Sequence, residues 1–129
     1  MDVHVYIGVT DLQRGIAFYT QGLGLRLRRR LAPNWAELRG ASVPLFLLVS
    51  DRPQDFSGPW TVHLDFITDD LATAVQQAQN AGAVLQRAIQ ERRWGRMANM
   101  ADPFGNSFDL IAFAPGGYAN IAPLGIQEV

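Results

Sequence analysis

The stretch His63-Leu64-Asp65-Phe66-Ile67-Thr68-Asp69-Asp70-Leu71 decides how this chain is read. It repeats, at a spacing of 59 residues, His4-Val5-Tyr6-Ile7-Gly8-Val9-Thr10-Asp11-Leu12. His4 falls on His63, Asp11 on Asp70 and Leu12 on Leu71, while Ile7 faces Phe66 and Ile16 faces Val75. The same spacing sets Trp35 on Trp94. Gly24 lands one residue from Gly82, so a short gap is needed, and Phe46-Leu47-Leu48-Val49 matches Phe108-Asp109-Leu110-Ile111 at a spacing of 62. Recurrence of this kind marks one structural unit used twice.

Each copy reads as strand, helix and then further strands. Val3 to Val9 and Val62 to Ile67 are β-branched and aromatic, as strands prefer. Asp11 in the first copy, and Asp69 or Asp70 in the second, are N-cap residues. Leu12, Ile16, Tyr19 and Leu23 then follow at helical spacing, as do Leu71, Ala74, Val75 and Ala78. Strands are expected over 25–31, 35–38 and 45–49, and over 84–88, 94–100 and 107–113. Asp102-Pro103-Phe104-Gly105-Asn106 is a turn signal. The expected fold is α+β: two paired βαβββ modules forming a curved mixed sheet around a cavity. The modules span 1–50 and 60–114, joined by a linker over 51–59 and followed by a tail over 115–129, in one domain overall.

Composition narrows the chemistry. A chain of 129 residues is about one domain at roughly 150 residues each. A formal net charge of −1 argues against nucleic acid as a partner. No apolar run reaches the length that spans a bilayer, so no membrane is expected. The N-terminus opens directly into a strand pattern without a secretory signal, so the expected location is cytoplasmic. Without cysteine there are no disulfides, thiolate metal sites or cysteine nucleophiles, and with arginine as the only basic residue, lysine chemistry is excluded as well. Imidazole chemistry rests on His4 and His63 alone.

Side chains alternate along a strand. Val5, Ile7 and Val9 therefore share one face of the first strand, with His4 and Tyr6 opposite; Leu64 and Phe66 likewise oppose His63 and Asp65. In the last strand Asp109 falls with the histidines, and Leu47 takes its place in the first copy. His4, His63 and Asp109 form a ligand set for a divalent metal (Fe, Mn, Zn or Ni), with coordination positions left for a small-molecule substrate. Asp65 orients a ligand or contacts substrate, and Tyr6, Trp35 and Trp94 are further substrate-binding candidates. Glu37 is the candidate general base. Arg26, Arg28 and Arg30 share a strand face, either solvated or facing an anion. Simpler readings remain open: half-buried histidines bonded to neighbours, Asp109 paired with an arginine, Glu37 solvated, the tryptophans structural.

The stretches His4 to Tyr19, Gly22-Leu23-Gly24-Leu25, His63 to Leu71, Trp94-Gly95-Arg96 and Asp102-Pro103-Phe104-Gly105-Asn106 with Asp109-Leu110 resemble the vicinal oxygen chelate superfamily. That group comprises glyoxalases, extradiol dioxygenases and fosfomycin- and bleomycin-resistance proteins. The resemblance covers residues 3 to about 114. It implies the paired fold, a homodimer whose sites can combine the first module of one chain with the second of its partner, and metal ligands at His4, His63 and Asp109. Two departures stand out. Asp109 is one methylene shorter than the glutamate usual there, and Leu47 stands where glyoxalase I has a ligating glutamate. The first bears on the reach of Asp109 to a metal; the second leans toward three-ligand branches, and the resemblance implies a divalent-metal-dependent lyase, isomerase or dioxygenase. The alternative is a metal-free binding or sequestration protein of the bleomycin-resistance type.

Overall fold

A computed structural model describes residues 2–50 and 63–124; the expected linker and the end of the tail lie outside the described residues. The first module runs β1 (Val5–Val9), α1 (Leu12–Ala17), a π-helical turn (Phe18–Gly22), β2 (Arg26–Leu31), β3 (Trp35–Arg39) and β4 (Leu45–Val49). The second runs β5 (Leu64–Ile67), α2 (Leu71–Asn80), β6 (Val84–Leu85), β7 (Gln90–Arg92), β8 (Gly95–Ala101) and β9 (Ser107–Phe113). A 3-10 helix, Gly117–Leu124, follows. No helix among the described residues is long and apolar enough to cross a membrane.

Both helices begin where the sequence places their caps. Asp11 accepts from the Arg14 amide at 2.8 Å, and Asp70 accepts from the Thr73 amide at 3.1 Å and the Thr73 hydroxyl at 2.7 Å. These carboxylates satisfy amides that a helix start otherwise leaves unpaired. The strand expected over 84–88 is confined to β6, and a further short strand, β7, follows it; both pair antiparallel with β8.

The sheets are built alike. In the first, β1 and β4 are parallel neighbours, with β3 and β2 added antiparallel in the order β1-β4-β3-β2. In the second, β5 and β9 are parallel and β8 lies antiparallel beside β9. The helix-facing sides of both sheets meet in one core that includes Ile7, Leu47 and Ile16 from the first module and Val75, Met100 and Leu110 from the second. Phe18 and Phe108 bring their rings to 6.2 Å within it. Gly22 permits the helices to approach, since a Cβ there would stand 3.0 Å from the Ala81 Cβ.

Polar contacts lock the same joint. Tyr19, buried at 2% exposure, donates its hydroxyl to Asp102 Oδ2 at 2.6 Å. Asp102 also accepts from the Phe104 and Asn106 amides and from Asn106 Nδ2, so it organises the expected turn. Asn106 Nδ2 donates onward to the Gly8 carbonyl. Burial and the Asp102 carboxyl push the Tyr19 hydroxyl well above its ordinary pKa.

The register corrects two details of the sequence reading. Ile7 pairs with Leu47 and Phe66 with Leu110, so Leu47 corresponds to Leu110, and the counterpart of Asp109 is Phe46. Leu47 is fully buried beneath α1, on the opposite face from Asp109's. A shift of one residue exchanges faces. The second detail is a β-bulge between Leu27 and Arg29. It breaks the alternation that put Arg26, Arg28 and Arg30 on one face. Arg26 lies opposite Arg39, whereas Arg30 lies opposite buried Ala36 and donates to Gln13 of α1 at 3.0 Å.

Candidate metal centre

The two parallel strand pairs β1/β4 and β5/β9 place four side chains at matching positions on the faces turned away from the helices. In the second module these are His63, Asp65, Asp109 and Asn99, the last brought alongside Asp109 by β8. In the first they are His4, Tyr6, Phe46 and Glu37. The two sets differ in chemistry.

In the second module two carboxylates converge on one imidazole nitrogen. His63 Nε2 lies 2.9 Å from Asp109 Oδ2 and 3.1 Å from Asp65 Oδ1. Ligand atoms of His63, Asp65 and Asp109 all fall within 4.8 Å of one another. Asp109 is buried, and its other oxygen, Oδ1, accepts from Asn99 Nδ2 at 2.7 Å. Asn99 Oδ1 in turn accepts from Gln90 Nε2 at 2.7 Å, and Gln90 Oε1 accepts from Arg92 at 2.6 Å. This chain of bonds fixes the Asp109 carboxylate and leaves Oδ2 directed at the imidazole. Asp65 is exposed, yet partial burial and then the neighbouring Asp109 charge raise its pKa against the opposing pull of His63. One nitrogen and two carboxylate oxygens form a donor set suited to a divalent transition ion.

The matching place in the first module is aromatic. His4 is exposed and lies against the Phe46 ring at 4.7 Å, and Tyr6 stacks on the same Phe46 ring at 4.9 Å and 16°. Trp35 tilts against Phe46 at 5.4 Å. Within one chain, then, the described residues gather His63, Asp65 and Asp109, while His4 belongs to a cluster on the other sheet.

Glu37 is 3% exposed and held by arginines. Arg29 Nε lies 2.6 Å from Oε2, while Arg39 reaches Oε1 through NH2 at 2.6 Å and Nε at 2.7 Å. Both oxygens of the residue expected as general base are thus engaged by guanidinium groups, and this carboxylate is a charge anchor. Trp94 packs with Phe113 and Tyr118, at 6.2 and 5.4 Å, so the start of the 3-10 helix seals the end of β8 and β9. Asn99, Gln90 and Tyr118 were not singled out by the sequence. Asn99 is visible in retrospect as the residue in the strand before Asp109 that alternation sets on its face.

A family model described as a glyoxalase-like domain matches residues 4–111. No curated protein matches the sequence. A glyoxalase/bleomycin resistance protein/dioxygenase family enzyme from Burkholderia phytofirmans PsJN superposes with a TM-score of 0.74 at 23% identity, covering 88% of this chain and all (100%) of that one. A mutant of the fosfomycin resistance protein FosX from Listeria monocytogenes, complexed with Mn(II) and 1S,2S-dihydroxypropylphosphonic acid, superposes with a TM-score of 0.75 at 14% identity, covering 94% of each chain. TioX from Micromonospora sp. ML1 gives 0.67 at 18% identity, covering 88% of this chain and 99% of that one. These likenesses show a common fold.

Proposed function

The chain belongs to the glyoxalase-like domain family, within the vicinal oxygen chelate superfamily, and we propose that it is a divalent-metal-dependent enzyme of lyase, isomerase or dioxygenase type. Its substrate is a small molecule presenting two adjacent oxygens. The observation that carries this reading is the convergence of His63 Nε2, Asp109 Oδ2 and Asp65 Oδ1 on one point of the second sheet. His63 and Asp109 would hold the ion, and His4 of a second copy of the chain would complete the ligand set. The homodimer is supported by the matching strand-start positions of His4 and His63 and by open faces in both modules, where Tyr6 and Ile67 are 55% and 57% exposed.

Manganese, iron, zinc and nickel all accept nitrogen and oxygen donors of this kind. When bound, such an ion supplies Lewis acidity to the chelating oxygens of a substrate. The chain's own residues do the rest. Asn99 holds Asp109 in place through Oδ1. Asp65, with its raised pKa and exposed carboxyl, carries a proton to or from the substrate at Oδ1 or Oδ2. Met97 and buried Ile111, paired on the same face as Asp109, provide an apolar floor.

The test is metal analysis of protein purified without chelator, alongside His63→Ala and Asp109→Ala. Stoichiometric Mn, Fe, Zn or Ni that is lost in both variants supports the assignment. Protein with no bound metal and no affinity on titration overturns it. Mixing His4→Ala with His63→Ala protein tests the second-copy ligand: recovery of metal binding on subunit exchange is the expected result.

A further inference from the structure

Three hydrogen bonds join an exposed guanidinium to the buried carboxylate of the chelating cluster. Arg92 Nη2 donates to Gln90 Oε1 at 2.6 Å, Gln90 Nε2 to Asn99 Oδ1 at 2.7 Å, and Asn99 Nδ2 to Asp109 Oδ1 at 2.7 Å. The strands set this path. Asn99 of β8 lies directly opposite Asp109 of β9, and Gln90 of β7 lies opposite Met97, the neighbour of Asn99 on the same side of β8. Directly opposed and diagonal positions of this kind are within side-chain reach. Along the path burial increases: Arg92 is exposed, Gln90 and Asn99 are half-buried, and Asp109 is buried.

The path also has a direction. A side-chain amide turns over easily, exchanging an acceptor oxygen for a donor nitrogen, so Gln90 and Asn99 each have two orientations open to them. The two ends have no such choice, because a guanidinium only donates and an ionised carboxylate only accepts. Beside Arg92, Gln90 must offer Oε1, which leaves Nε2 for Asn99. Asn99 then accepts through Oδ1, which leaves Nδ2 for Asp109. Both ends impose the same order.

We infer that Arg92, acting through Gln90, is a positioning residue for the metal centre: its donor-only head holds both amides in the orientation that turns an N–H toward Asp109 Oδ1 and leaves Oδ2 directed at His63. The inference deepens the proposed metal-dependent function and rests on Asp109 serving as a ligand there. An acceptor placed at residue 90 or 92 would set the two ends in conflict. Asn99 would then turn its oxygen toward Asp109, bringing two acceptors together, and the carboxylate would swing away from His63. Charge counting alone points the opposite way, since a new carboxylate near a cation site raises affinity for the cation. The two accounts therefore differ in sign.

The full chain, freed of metal by chelator, is titrated with Mn(II), following the paramagnetic signal of the free ion. Gln90→Glu and Arg92→Glu proteins are each expected to bind at least about tenfold more weakly than the wild type, as when a group that orients a ligand is lost. Arg92→Lys keeps a donor-only head and is expected to recover most of the affinity. Circular dichroism checks that each variant is folded. A second readout needs no metal: the Asn99 side-chain amide protons in isotope-labelled protein, assigned by their loss in Asn99→Ala. One of them is expected downfield, bonded to the Asp109 carboxylate, in the wild type and in Arg92→Lys, and to lose that displacement in Gln90→Glu. Unchanged or tighter Mn(II) binding by both glutamate variants, or an Asn99 signal that Gln90→Glu leaves in place, overturns the inference alone. Wild-type protein that binds no Mn(II) overturns the metal-centre reading and this inference with it, so the two failures are separately visible.

Discussion

Phe46 and Asp109 occupy the same register position in the two halves of the chain, one between Tyr6 and Glu37, the other between Asp65 and Asn99. The exchange of a ring for a carboxylate at this point separates an aromatic face from a chelating one. The residues next to Asp109 therefore give the sharpest tests.

Asn99→Ala removes the donor that holds Asp109 Oδ1. Metal affinity is expected to fall by about 10- to 100-fold, the usual cost of losing a group that orients a ligand. Titration with Mn(II), followed by the paramagnetic signal of the free ion, measures it. Unchanged affinity would show that Asp109 needs no such support.

Asp65 has a raised pKa in the folded chain. Its contribution to stability is thus present below the unfolded value of 3.8 and is lost as pH rises through the folded pKa. In metal-free protein near neutral pH the ionised carboxylate is a burden. Asp65→Asn is expected to raise the thermal midpoint there, with the gain shrinking as pH approaches 3.8. Melting curves across that range check both the sign and the convergence.

Tyr19 is also raised, from 10.0, and the direction again means stability lost as pH climbs. Tyr19→Phe deletes the bond to Asp102 and is expected to cost about 1 kcal/mol at neutral pH. Above pH 10.0 the unfolded phenol ionises first, so the wild type should lose stability faster than the variant. Denaturant unfolding at neutral and alkaline pH should show the two curves drawing together.

Gly95→Ala is expected to destabilise by more than about 3 kcal/mol. The residue sits at φ 152°, and a Cβ would press on the β9 backbone, 2.9 Å from the Phe113 Cα. A midpoint shift in urea measures the cost. A shift below 1 kcal/mol would mean that β8 and β9 separate easily at that end.

Much of this was legible in the sequence. The histidine-to-leucine repeat located both first strands, both helices and their caps, because capping and helical spacing leave local signatures. Leu45–Val49 was placed as a strand, but a wholly apolar run carries no alternation, so similarity to Phe108–Ile111 slid the match by one residue. Arg28-Arg29-Arg30 hid its bulge for the same reason: identical side chains show no phase. Neither the arginine clamp on Glu37 nor the Asn99–Gln90 support has a local signature, since both depend on which strands become neighbours.

The shared core also divides the chain's freedom to vary. Side chains such as Leu47 and Leu110 answer to both modules at once, and a change of volume in one half must be absorbed by the other. The opposite faces lie outside that shared core, so one register position holds a phenyl ring in one half and a carboxylate in the other. A designer wishing to install a second chelating cluster would leave the interior untouched and rewrite only Tyr6, Glu37 and Phe46.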